Sequence, residues 1–183
     1  MIDQLTRTPA LGGPAIRTAR LDLRPPQPSD AWRLTALAND FDVVRMTGSM
    51  PWPYTLADAE AWVAHAQRAD PSHAALFVID LPGEGPIGVI GLDPDGEMTV
   101  EVGYWLGQPY WGRGYATEAL RGLLAWARDG WGRRWITARH FADNPASGVV
   151  LIKAGFLYTG RTGPWPCRAR GEDVATRWMV WLA

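Results

Sequence analysis

The residues with the clearest chemical promise stand mid-chain, in the run Gly107-Gln108-Pro109-Tyr110-Trp111-Gly112-Arg113-Gly114-Tyr115-Ala116-Thr117. Glycine lets the backbone approach a ligand closely, and a helix start offers free N–H groups with a partial positive charge. Gly112 and Gly114, just ahead of a helix expected from about Ala116, form either a tight turn or an anion site suited to a pyrophosphate. Two other phosphate loops are excluded. A P-loop needs Gly-Lys-Ser/Thr, whereas Gly114 is followed by Tyr115-Ala116. A dinucleotide fingerprint needs a last glycine where Thr117 stands. It also needs an acidic residue at the end of the next strand, which instead reads Ala138-Arg139-His140.

The elements around this loop follow from periodicity. Thr99 to Leu106 alternates as a strand, with Val100 and Val102 on one face and Glu101, Gly103 and Trp105 on the other. The helix after the loop gathers Ala119, Leu120, Leu123, Leu124 and Ala127 on one face, with Gly130 placed to end it. Trp135 to Phe141 is a strand, expected to lie parallel to Thr99–Leu106 by a right-handed crossover. Asn144 caps a short helix with Pro145 at its first position and Gly155 past its end.

Upstream, residues 1–17 read as a loose arm and 18–183 as a single domain. Thr18 to Arg24 is the first strand, and Ser29 caps a helix that buries Ala31, Leu34 and Ala38. Asn39 to Tyr54 is irregular and holds Met46, Met50, Trp52 and Tyr54. Thr55 and Asp58 make a capping box for a helix burying Ala59, Trp62, Val63 and Ala66. Ala74–Leu81 and Ile87–Leu92 are strands. Phe156–Arg161 and Val174–Leu182 are expected as a final antiparallel pair, joined by a long loop containing Pro164, Trp165, Pro166 and Cys167.

Composition sets bounds. At 183 residues, 47% hydrophobic and 20% charged, the chain reads as one globular domain with a real core. A net charge of −1 gives no electrostatic footprint for nucleic acid or an anionic membrane. The lone Cys167 excludes an internal disulfide and a cysteine metal cluster, and no metal is expected. No apolar run reaches membrane-spanning length and no signal peptide opens the sequence, so the expected compartment is cytoplasmic. A monomer or homodimer is expected. The eleven tryptophans suit a groove or an interface.

Trp111-Gly112-Arg113-Gly114-Tyr115-Ala116 resembles the pyrophosphate loop of the GNAT N-acetyltransferases, Gln/Arg-x-x-Gly-x-Gly/Ala, with Trp111 in place of the first polar residue. Gly103-Tyr104-Trp105-Leu106 and Tyr110 to Ala119 are similar to the RimJ/RimL branch, which includes ribosomal-protein N-terminal acetyltransferases. Asn144-Pro145-Ala146-Ser147 with Lys153-Ala154-Gly155-Phe156 resembles that branch's second block, and the likeness runs from about Thr18 to the end. It implies an α/β fold: a mixed, mostly antiparallel twisted sheet of about six or seven strands with a splayed parallel pair, flanked by helices. It also implies an acyltransferase that moves acetyl from acetyl-CoA to a primary amine, either a protein N-terminus or a small molecule.

On that resemblance, backbone at Trp111, Gly112, Arg113, Gly114, Tyr115, Ala116 and Thr117 holds the pyrophosphate. The edge at Tyr104, Trp105 and Leu106 pairs with the pantetheine arm, and an N–H near Trp105 or Leu106 polarises the thioester carbonyl. Asn144 is an N-cap, a pantetheine contact, or both. Ser147 is either a first-turn helix serine or the group that protonates the leaving thiolate. Leu151 occupies the position where many relatives carry a tyrosine acid, and Val149 and Ile152 replace a usual arginine and glutamate. Met50, Trp52 and Tyr54 would wall the acceptor site. Glu101 is the candidate base, or simply a paired strand carboxylate. A carboxylate expected about ten residues after Lys-x-Gly-Phe is replaced by Pro166. His140 is a further base candidate, and Glu118 reads as structural. Two competing readings remain: a non-catalytic acyl-CoA-binding module, which the missing tyrosine and carboxylate would explain, and a nicotinamide-dependent oxidoreductase, which the fingerprint argues against.

Overall fold

The structure, a computed structural model, describes residues 15–96 and 99–183. Eight strands form one sheet: β1 (Ile16–Arg17), β2 (Asp22–Arg24), β3 (Ala75–Leu81), β4 (Gly85–Pro94), β5 (Val100–Leu106), β6 (Trp135–Phe141), β7 (Leu157–Cys167) and β8 (Glu172–Leu182). Their spatial order is β1-β2-β3-β4-β5-β6-β8-β7. Only β5 and β6 pair in parallel, and every other neighbouring pair is antiparallel.

Five helices cover the sheet: α1 (Ala31–Ala38), α2 (Phe41–Val44), α3 (Leu56–Arg68), α4 (Tyr115–Asp129) and α5 (Pro145–Lys153). The main core lies under α4 and α5, where Ala119, Leu120, Leu123, Leu124 and Ala127 meet Val100, Val102, Ile136 and Ala138. The α4 face and Val100 and Val102 are those that periodicity picked out, and Ile136 and Ala138 join them. A second core, on the opposite face, joins α1 and α3 to Val78 and Val89. Burying each of the leucine, isoleucine and valine side chains stabilises the fold by roughly 1.5–3 kcal/mol. Thr55 and Asp58 make the expected capping box at the start of α3, where the Thr55 N–H donates to the Asp58 carboxylate at 2.9 Å.

Five sequence expectations are corrected. The first strand is a small hairpin rather than one run: Thr18 donates to the Leu21 carbonyl and turns the chain between β1 and β2. The last two residues of the expected arm, Ile16 and Arg17, are therefore in the sheet, while the rest of the arm lies outside the described residues except Ala15. A short 3-10 turn, Pro28–Asp30, precedes α1, and Gln27 rather than Ser29 stands at its cap. The long terminal loop shrinks to residues 168–171, because Pro164, Trp165, Pro166 and Cys167 belong to β7. Proline is tolerated there because β7 is an edge strand: Pro164 and Pro166 share one parity, so their missing N–H groups leave no ladder bond unmade. With β1 counted, the sheet has eight strands rather than six or seven.

Candidate active site

The glycine loop is built from backbone. Gly112 and Gly114 have φ of 72° and 80°, a left-handed region that side chains resist. Gly114 is also the N-cap residue of α4. The first helical hydrogen bond runs from the Glu118 N–H to the Gly114 carbonyl, so the N–H groups of Tyr115, Ala116 and Thr117 precede the ladder and are free for an anion. At Gly112 an added Cβ would meet nothing within 4 Å, and at Gly114 only the Arg20 guanidinium at 3.6 Å. The bend is therefore open rather than packed.

Two braces hold it. The Trp111 indole donates to the Leu106 carbonyl at 2.7 Å, tying the loop to the end of β5. Glu118 accepts from the Thr18 hydroxyl, the Arg20 N–H and the Arg20 guanidinium, each at 2.7 Å. Arg20 in turn reaches the Arg113 carbonyl and stacks over the Tyr115 ring. Burial raises the Glu118 carboxyl, but the Thr18 and Arg20 hydrogen bonds outweigh it and hold it below the usual carboxylate range. Beside the loop lies an open cleft of about 630 Å³, to which Arg17, Arg20, Arg121 and Lys153 bring positive charge.

β5 and β6 part ahead of the loop. Their pairing runs from Val100–Ile136 to Val102–Ala138, whereas β5 stays paired with β4 to Leu106 and β6 with β8 to Phe141. Gly103 to Leu106 therefore face Arg139 to Phe141 across a widening notch with no pairing between them among the described residues. An added Cβ at Gly103 would meet nothing within 4 Å, so the strand is open where it parts from its neighbour.

α5 closes one side of the notch. The Asn144 side chain accepts from the Ser147 N–H at 3.1 Å, which makes it the cap that the sequence suggests. The Tyr104 hydroxyl lies 2.9 Å from Ser147 Oγ and 3.2 Å from the Ser147 carbonyl. Burial pushes this phenol far above its ordinary range, and the hydrogen bond with Ser147 only partly offsets that. Leu151 is 1% exposed and belongs to the core, so its position offers no acid.

The opposite face carries the acceptor-side candidates. Glu101 is held by Arg139, whose guanidinium donates to both carboxylate oxygens. Asp93 faces Glu101 across the β4–β5 pair and is a second carboxylate nearby. Arg139 also stacks over Trp165 at 3.6 Å from the ring centroid. Met50 and Tyr54 are buried in the second core, which borders Trp105. Burial and the Asp58 charge push the Tyr54 phenol up to about 12. Trp52 is 44% exposed and packs edge-on against Phe41, so it stands apart from Met50 and Tyr54. His140 is buried; Nδ1 meets the Phe141 carbonyl at 2.8 Å and Nε2 meets the Tyr158 hydroxyl at 3.0 Å. Among the described residues no group of His, Cys, Asp or Glu converges to hold a metal ion.

Sequence reasoning missed Arg139 and Trp165 as parts of this face. The register Glu101–Thr137 contains the missing signal, since Arg139 lies two residues further on the same face. It also missed how the wall is fastened. Cys167 Sγ lies 3.3 Å from the Thr47 carbonyl, the Arg168 N–H donates to the Gly48 carbonyl at 3.0 Å, and Arg170 reaches the Arg45 carbonyl at 2.8 Å. The tip of the β7–β8 hairpin therefore clamps the segment that follows α2.

An open glycine bend at a helix start, a parting parallel pair and the first turn of α5 frame one notch. The acetyltransferase (GNAT) domain matches residues 20–157, and the chain belongs to that family. Within it, the chain is 35% identical over 91 residues to the ribosomal-protein-serine acetyltransferase of Escherichia coli K12, a match covering 48% of this chain and 50% of that protein. The chain thus aligns with about half the length of this relative. A GNAT-family acetyltransferase from Bacillus anthracis superposes with a TM-score of 0.77 at 24% identity, covering 92% of this chain and 98% of that one. Mycobacterium smegmatis RimJ, solved with a CoA-disulfide, superposes with a TM-score of 0.74 at 22% identity, covering 94% and 87%. RimL, a ribosomal L7/L12 alpha-N-protein acetyltransferase solved with coenzyme A, is likewise similar at 20% identity with a TM-score of 0.76, and these structural likenesses show the fold.

Proposed function

We propose that this chain transfers an acetyl group from acetyl-CoA to a primary amine by direct attack, with no covalent enzyme intermediate. The carrying observation is the parting of β5 from β6 beside an open glycine bend at a helix start. Such a notch admits a peptide-like arm alongside Gly103 to Leu106, and the bend offers N–H groups to the diphosphate at its far end. The Arg17, Arg20, Arg121 and Lys153 side chains of the adjoining cleft then suit the remaining phosphate of the carrier. When bound, acetyl-CoA supplies the activated thioester. The protein holds it, excludes water and manages protons.

In this reading Ser147 gives a proton to the departing thiolate. Glu101 accepts a proton from the acceptor nitrogen through water, because Arg139 already occupies both carboxylate oxygens. The acceptor enters over Gly103, between Trp105 and the clamped wall. A protein N-terminus fits the ribosomal-protein substrates of these relatives, and small amines fit the open face equally. No helix among the described residues is long and apolar enough to cross a membrane, and our reading places the protein in the cytoplasm.

The Arg139 grip on Glu101 also suits a second reading, a non-catalytic acyl-CoA-binding module. One assay separates the two. Purified protein is given acetyl-CoA and a panel of amines: peptides with free N-termini, polyamines, amino acids and aminoglycosides. Acceptor-dependent thiol release is expected. Saturable coenzyme A binding with no thiol release across the panel would leave the binding module.

A further inference from the structure

We infer that Tyr104 is a positioning residue for Ser147, holding the serine so that its own proton points into the notch. The inference rests on the reading of Ser147 as the group that protonates the thiolate.

The phenol stands between two acceptors on one residue. Ser147 Oγ is at 2.9 Å and the Ser147 carbonyl at 3.2 Å. The carbonyl belongs to the first turn of α5, whose ladder gives it the N–H four residues on, so it already has a donor. The hydroxyl oxygen has no such partner and is the closer of the two. Either oxygen of the Tyr104–Ser147 Oγ pair can donate, and we assign Tyr104 as the donor to Oγ.

A serine hydroxyl has one hydrogen and two lone pairs. With one lone pair taken by Tyr104, the Ser147 hydrogen is directed elsewhere, and Ser147 is half-buried in the first turn of α5. Burial holds Tyr104 in its protonated form far above the usual phenol range, so it stays a donor across the working pH range. That same shift argues against Tyr104 passing on its own proton, since a buried phenolate is costly.

The seat of Ser147 is fixed from a second direction. A Cβ added at Gly148 would lie 2.8 Å from the Tyr158 hydroxyl and 2.9 Å from His140 Nε2. The His140–Tyr158 pair thus presses against the backbone one residue along. Two tyrosines from different strands define how high this turn of α5 sits.

The step balances as follows. The acceptor nitrogen forms a bond to the carbonyl carbon, and the carbon–sulfur bond breaks. Sulfur takes the proton of Ser147, while nitrogen loses one to the base through water. Water returns a proton to Ser147 and takes one back from Glu101, so both groups are reset, and Tyr104 keeps its own throughout, stabilising the charge that builds briefly on Oγ.

The test is a double-mutant cycle on the full chain, read at saturating acetyl-CoA and acceptor. S147A is expected to lower kcat about a hundredfold, the range of a lost general acid. Y104F is expected to lower kcat about tenfold, with the acetyl-CoA KM within twofold. The double variant is expected to be no slower than S147A alone, because a residue that acts through Ser147 has nothing left to position. If the two losses multiply, or if Y104F keeps full kcat, the inference is overturned. A loss of fold caused by Y104F would reappear on the S147A background, so it too would show as multiplication. If S147A itself keeps full kcat, the Ser147 reading falls first and takes the inference with it.

Discussion

The two sides of the notch are made by opposite means. The side we propose for the carrier, from Gly107 to Thr117 and the first turn of α5, is backbone: open glycines, free N–H groups and an asparagine cap. The acceptor side is side chains brought from far apart. Glu101 meets Arg139, Arg139 meets Trp165, and the segment after α2 is fastened to a hairpin about 120 residues later. A diphosphate carrier is constant, so a local backbone bend can serve it. An acceptor varies, and a wall of separately replaceable side chains can change without disturbing the carrier.

Substitutions on each side should therefore fail differently. The largest effect is expected at Gly114. Valine there would be forced to a φ near 80°, where a β-branched residue is strained, and its side chain would cover the N–H groups of the bend. Coenzyme A affinity should fall about 100-fold, equivalent to ~2.7 kcal/mol, by calorimetric titration. Unchanged affinity would remove the bend from carrier binding. Next comes Glu101→Gln, which should lower kcat about tenfold and flatten the acid limb of the pH profile, with coenzyme A affinity unaltered. An unchanged profile would leave Glu101 as a structural partner of Arg139 only. Trp165→Leu removes the ring under Arg139 and should raise the acceptor KM about threefold while sparing the acetyl-CoA KM. Equal changes in both would erase the division between the two sides.

The same contrast explains what was legible. Three devices of the carrier side are short-range: glycine spacing, a cap followed by proline, an apolar face at helical period. All of it could be read from adjacent residues, and α4 buries the five residues that its periodicity named. The splay itself was not legible, because it depends on where β4 and β8 keep pairing after β5 and β6 stop. The acceptor wall was least legible. Pro164 and Pro166 looked like loop residues because an edge strand is defined only by the absence of a neighbour, which no local pattern records. Tyr104 could be placed on its strand, but its reach to Ser147 spans 43 residues.

The smallest expected effect concerns the brace. Glu118 titrates below the usual carboxylate range in the fold, so its contribution is present above about pH 5 and fades as pH falls through its depressed value. Glu118→Gln should cost about 1 kcal/mol at neutral pH and less as the pH drops, measured by denaturant unfolding across pH 3–7. A loss that stayed constant with pH would mean that the charge does not matter there. Carrier affinity should weaken only slightly, since Trp111 still ties the loop to β5.

The central claim is that main-chain amides between Gly112 and Thr117 hold the carrier's diphosphate. A crystal structure of the chain grown with coenzyme A tests it most directly. Diphosphate oxygens within hydrogen-bond distance of those N–H groups, with the pantetheine arm lying along Gly103 to Leu106, is the predicted result. Coenzyme A bound with its diphosphate elsewhere and this bend vacant would contradict it.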